Sequence, residues 1–134
     1  MNLTASTSPY YQDWVDSAPD DLKEMKKAIR EKNFPLLGEL SEYSCLKMHG
    51  LAMSARPGLI YWNKTTLDCI QQIRELRETK VPVYFTIDAG PQVKAICLQK
   101  DRETVEQALQ SIDGVHRTIT TVMGPAASIV EILD

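Results

Sequence analysis

The sequence predicts an α+β domain in which helices pack on one face of an antiparallel sheet of about four strands. Three observations carry this. Apolar residues recur at helical spacing as far as Glu78, the period changes to two at Val81, and the elements that follow read strand, strand, helix, strand, strand. With 134 residues, no Gly/Ser linker and no internal repeat, the chain reads as one domain.

Met1 to Ser8 is polar and extended in character, and Pro9 suits the start of a short helix through Tyr10, Tyr11, Trp14 and Val15. Ser17 with Asp20 approximates a capping box for a second helix, in which Leu22, Met25 and Ile29 recur among charged residues. Asn33 caps and Pro35 opens a long helix whose stripe of Leu37, Leu40, Met48, Leu51 and Ala55 stops before Arg56-Pro57-Gly58. Asn63 begins the next helix. There Leu67, Ile70 and Ile73 face inward, while Glu75, Arg77 and Glu78 face solvent.

Val81, Val83, Phe85 and Ile87 then alternate with Pro82, Tyr84, Thr86 and Asp88, and a second apolar stretch runs from Val93 to Leu98 after Gly90-Pro91. This is a β-hairpin. Asp101 is placed to cap a helix carrying Val105, Ala108, Leu109 and Ile112, with Gly114 just past its end. Val115 to Val122 and Ser128 to Leu133 have the composition of two further strands.

Charge and composition exclude several functions. A net charge of -3 is the wrong sign for neutralising nucleic-acid phosphates or an anionic membrane. No apolar run approaches the roughly twenty residues that span a bilayer, so a cytoplasmic protein is expected. Cys45, Cys69 and Cys97 are odd in number and form no C-x-x-C pair, which suggests buried free thiols rather than disulfides or a zinc site. The six glycines are too scattered to make a phosphate-cradling loop.

One candidate for chemistry remains. Asp88 ends the first hairpin strand on the face opposite Phe85 and Ile87, beside the small residues Ala89 and Gly90, where a carboxylate can meet a ligand. The pattern alone also describes an Asp that opens a turn, and favours that account.

The stretch Tyr84-Phe85-Thr86-Ile87-Asp88-Ala89-Gly90-Pro91, with Val93 and Lys94, resembles the Y-F-T-(I/M)-D-A-G-P-N-V-K segment of bacterial mevalonate diphosphate decarboxylases. Thr7-Ser8, Asp20-Asp21-Leu22-Lys23, Phe34, Leu37-Gly38-Glu39 and Leu46-Lys47-Met48-His49 follow in the family's order, so the resemblance covers Met1 to Leu98 and more weakly the rest. The sequence departs from the family pattern at Gln92, where Asn is usual, and at Arg56-Pro57-Gly58, where a proline pair is usual.

The resemblance implies the C-terminal domain of the superfamily of galactokinase, homoserine kinase, mevalonate kinase and phosphomevalonate kinase, with a ferredoxin-like sheet. It implies ATP-dependent conversion of mevalonate 5-diphosphate to isopentenyl diphosphate, with Asp88 as the catalytic aspartate that orients or deprotonates the 3-hydroxyl. Ala89 and Gly90 would let substrate approach the backbone, or simply shape the turn. His49 would reach toward the cleft or serve as a satisfied structural histidine; His116 reads as structural. ATP and Mg2+ would be held mainly by an N-terminal half not present in this sequence. The chain alone should then be inactive, as a fragment, an isolated domain or one subunit of a split enzyme, with homodimers common among relatives. The alternatives are a related small-molecule kinase domain, or a non-catalytic α+β binding or dimerisation module.

Overall fold

A computed structural model describes residues 2–126. The order is α1 (Asn2–Thr7), α2 (Tyr11–Arg30), α3 (Phe34–Ser54), α4 (Lys64–Glu78), β1 (Val83–Ile87), β2 (Val93–Cys97), a 3-10 turn (Gln99–Asp101) and α5 (Arg102–Gln110). Strands β1 and β2 pair antiparallel from Val83↔Cys97 to Ile87↔Val93, and the chain is α+β with an antiparallel sheet. No helix among the described residues is long and apolar enough to cross a membrane.

Val83, Phe85 and Ile87 lie on one face of β1 and form the core with Cys45, Ile70, Ile73 and Val105. Helices α4 and α5 therefore cover that face. Phe85, Ile73 and Val83 are wholly buried, and each such side chain contributes about 1.5–3 kcal/mol by leaving water. Tyr84 points to the opposite face, where its ring meets Phe34 edge-on at 5.7 Å. A Cβ at Gly38 would overlap that ring, so α3 can approach the sheet only because residue 38 is glycine.

Several helix signals act as expected. The Asn33 side chain accepts Leu36 N–H at 3.1 Å and Pro35 lies in the first turn of α3. Asn63 and Thr66 form a reciprocal capping box at the start of α4. Gly114 takes the positive φ, +90, expected of a glycine past a helix, although α5 ends four residues earlier, at Gln110, short of the expected Ile112.

Others do not. Residues 2–7 are helical rather than extended, because tertiary bonds anchor them: Arg56 N–H donates to Thr7 Oγ1 at 2.9 Å, and the Ser8 and Ser54 hydroxyls pair at 2.7 Å. Helix α2 is continuous through Ser17, whose hydroxyl donates to the Trp14 carbonyl instead of capping a new helix, and it accommodates Pro19. Its inward face carries Trp14, Ser17, Asp21, Met25 and Ala28, and Lys47 of α3 bonds both Ser17 and Asp21. Leu22 and Ile29 are consequently 54% and 59% exposed.

Helix α4 buries Ile70 and Ile73 as expected, but adds Thr66 and Cys69 to that face and leaves Leu67 exposed. Asp101 makes no side-chain cap bond for α5. Val115 to Val122 belongs to no strand, because Thr118 bonds Glu106 and Gln110 of α5 and no ladder partner lies among the described residues. The other expected strand, Ser128 to Leu133, lies outside the described residues.

Candidate active site

The hairpin connection, residues 88–92, holds the three contiguous candidates. Asp88 and Ala89 are exposed, and Asp88 Oδ1 accepts the Ala89 N–H at 2.8 Å, which braces one carboxylate oxygen. The other oxygen has no protein partner among the described residues and is open to a ligand. Gly90 has φ +142, a conformation that L side chains rarely adopt, and a Cβ there would also meet Gln92 Oε1 at 2.5 Å. The turn thus requires glycine at position 90.

Two helices hold this turn at its ends. On the α4 side, the buried Thr66 hydroxyl lies 3.2 Å from the Pro91 carbonyl. On the α3 side, the last residue of β1 is gripped at both backbone groups. Ile87 N–H donates to Cys45 Sγ at 3.3 Å, and the Ile87 carbonyl lies 3.4 Å from Cys45 Sγ and 3.1 Å from His49 Nε2. Burial pushes the Cys45 thiol up, reinforced by the Glu42 charge and opposed by the bond from Ile87 and by Lys94. The thiol therefore stays protonated and can donate.

The same edge of β1 is satisfied further back by Glu42. Its Oε1 accepts Phe85 N–H at 3.1 Å, and its carboxylate receives Arg77 in a two-pronged pair at 2.6 and 3.2 Å. Arg77 also donates to the Val83 carbonyl at 3.1 Å. Glu42, Cys45 and His49, at i, i+3 and i+7 along α3, thereby replace a third strand beside β1 with a row of side chains. Leaving one of these buried backbone groups unpaired would cost about 1–3 kcal/mol.

His49 is 2% exposed and stacks near Trp62, at 4.6 Å between ring centroids, and Tyr61, at 5.8 Å. It lies behind the turn, in contact with the residue before Asp88. His116 is exposed beyond α5. Arg77, expected to face solvent, is half-buried on Glu42, a partner 35 residues away. Glu42, Trp62 and Thr66 had no signal in hydrophobic periodicity; the i, i+3, i+7 spacing of Glu42, Cys45 and His49 on one helix face was the signal available.

Among the described residues no three His, Cys, Asp or Glu side chains gather as a metal site. Cys69 and Cys97 are free thiols pushed up chiefly by burial, the opposite of what a nucleophile needs. The chemistry available is that of one exposed carboxylate on a rigidly held turn.

Residues 1–130 match the family model described as the mevalonate 5-diphosphate decarboxylase C-terminal domain. The chain is 30% identical over 131 residues to the phosphomevalonate decarboxylase of Haloferax volcanii, covering 97% of this chain and 39% of that protein. A solved mevalonate diphosphate decarboxylase from Enterococcus faecalis, described with mevalonate diphosphate mediated ATP binding, superposes with a TM-score of 0.79 at 37% identity, covering 84% of this chain and 36% of that one. A structure of MDDEF in complex with MVAPP, AMPPCP and magnesium superposes at 0.78 and 37% identity, over 84% of this chain and 35% of that one. The chain spans less than half the length of each of these relatives. It belongs to the mevalonate 5-diphosphate decarboxylase C-terminal domain family.

Proposed function

We propose that this chain forms the C-terminal part of an ATP-dependent diphosphomevalonate decarboxylase that makes isopentenyl diphosphate from mevalonate 5-diphosphate. The observation that carries the reading is Asp88, an exposed carboxylate braced by the Ala89 N–H at the end of β1, in a chain of this family. Asp88 orients the substrate's 3-hydroxyl and either accepts its proton or, staying ionised, stabilises with its charge the positive character developing at that carbon. Ala89 and Gly90 keep the approach to Asp88 free of bulk, so that substrate comes against the backbone of the turn. His49, expected among the substrate-binding residues, is buried and bears on the site only from behind the turn, through Ile87.

ATP, with Mg2+, supplies the phosphoryl group. Neither fits the described residues of this chain, which have no glycine-rich loop and no metal-ligating cluster, so both are assigned to an N-terminal half. In the same reading the assembled enzyme is a cytoplasmic homodimer.

The test uses this chain together with its ATP-binding half, joined or supplied as a separate subunit. Release of CO2 and phosphate from mevalonate 5-diphosphate and ATP is expected, and Asp88→Asn should lower kcat about a hundred- to ten-thousandfold while substrate still binds. ATP consumption without CO2 would instead identify a kinase; no reaction with any mevalonate derivative would leave a binding module. A second substrate is favoured by the similarity to a phosphomevalonate decarboxylase. Comparing kcat/KM for the mono- and diphosphate decides between them.

A further inference from the structure

We infer that His49 is a positioning residue for Asp88, acting through the carbonyl of Ile87 rather than by touching substrate. The inference rests on the decarboxylase reading given above and assigns a further residue to the same site.

The geometry begins with the peptide bond. The Ile87 carbonyl oxygen lies in one plane with the amide N and Cα of Asp88, so whatever holds that oxygen sets the direction in which Asp88 leaves the strand. Beyond Ile87 the ladder with β2 has ended, since Ile87↔Val93 is its final pair. Among the described residues the side chain of Asp88 is bonded only to its own neighbour, Ala89 N–H, which moves with the turn and cannot fix it in space. The anchor must come from outside the turn, and at the Ile87 oxygen the His49 ring nitrogen, 3.1 Å away, shares it with the weaker Cys45 thiol.

Which hydrogen bond His49 makes follows from its surroundings. Nε2 lies 3.1 Å from the Ile87 carbonyl and 3.2 Å from Trp62 Nε1–H. A neutral imidazole nitrogen either donates or accepts, so these two contacts compete. Ile87 is 1% exposed, and its carbonyl has no water to turn to, only the weak S–H of Cys45 as a second donor. Trp62, by contrast, is only half-buried. The buried carbonyl therefore takes the hydrogen, on Nε2, and Trp62 with Tyr61 holds the ring by packing.

The experiment measures kcat and KM for His49→Leu and His49→Gln in the assembled two-half enzyme, each in the parent and in the Asp88→Asn background. Leucine removes the donor, whereas the Gln side-chain amide can restore one at the place of Nε2. His49→Leu is expected to lower kcat about ten- to hundredfold with KM for both substrates within about threefold, and His49→Gln to recover most of that loss. In the Asp88→Asn background the leucine change should alter kcat less than about twofold, because the group it positions is already gone.

An equal loss from His49→Leu in both backgrounds would show a packing role only and overturn the inference, as would a full loss in His49→Gln. If His49→Leu does not fold, the glutamine variant and the imidazole 15N spectrum decide, a hydrogen on Nδ1 rather than Nε2 being the overturning result. Undiminished turnover in Asp88→Asn alone would remove the role of Asp88 and the inference with it. A large loss in Asp88→Asn beside an unaffected His49→Leu would remove the inference alone.

Discussion

Strand β1 is held on its face and along its edge by helices of opposite chemistry. Against the face, α4 and α5 bring Ile70, Ile73 and Val105 onto Val83, Phe85 and Ile87, an apolar contact whose strength comes from area removed from water. Along the edge, α3 brings Glu42, Cys45 and His49 onto the backbone of Phe85 and Ile87, a polar contact whose value lies in leaving no buried N–H or carbonyl unpaired. The apolar contact tolerates small shifts, because dispersion and burial have little directionality. The polar one does not, and it is the one that ends beside Asp88. Stability and site geometry are thus divided between two surfaces of a single five-residue strand.

The largest loss of stability is expected on the apolar side. Phe85→Ala, at a fully buried position, should cost about 3–5 kcal/mol in urea denaturation through lost transfer and an unfilled cavity. A cost below about 1 kcal/mol would mean that the face packing is looser than described.

On the polar side, Glu42→Ala leaves Phe85 N–H without its acceptor and the Arg77 guanidinium without its counter-charge, for an expected cost of about 2–4 kcal/mol. Glu42→Gln keeps one acceptor for Phe85 N–H and should cost less than the alanine change. Equal costs would show that the charge on Arg77, rather than the strand edge, sets the penalty.

The smallest effect is expected with alkaline pH. Burial raises Cys45 above its ordinary value of 9.0, so the folded chain keeps a proton that the unfolded chain releases as pH climbs past that value. Stability from this group is therefore full below pH 9.0 and declines above it. Cys45→Ser, whose hydroxyl does not titrate in that range, should flatten the decline measured by denaturation between pH 8 and 10, though Cys69, Cys97 and Tyr84 are raised in the same sense and leave a residual slope.

The two surfaces also differ in how far the sequence revealed them. The β1–β2 hairpin, the inward Ile70 and Ile73 of α4 and the caps at Asn33 and Asn63 were legible, because each is a local pattern with a local physical cause. The turn carrying Asp88, Ala89 and Gly90 was legible as a turn for the same reason, and family resemblance singled out its aspartate. The row of Glu42, Cys45 and His49 was not, since a helix face made of one acid, one thiol and one imidazole has no hydrophobic period to detect. Neither was the inward face of α2, where Ser17 and Asp21 meet Lys47 while Leu22 and Ile29 stay outside.

What the sequence determined by itself, then, was the helices α3 to α5, the hairpin and the position of the carboxylate at its end, all consequences of interactions within a few residues along the chain. Only the tertiary structure decided which face of each helix turns inward, what satisfies the free edge of β1 and what stands behind Asp88. Those outcomes depend on pairings between residues 26 to 43 positions apart, such as Lys47 with Asp21 and Phe85 with Glu42, whose partners are chosen by the packing of whole elements.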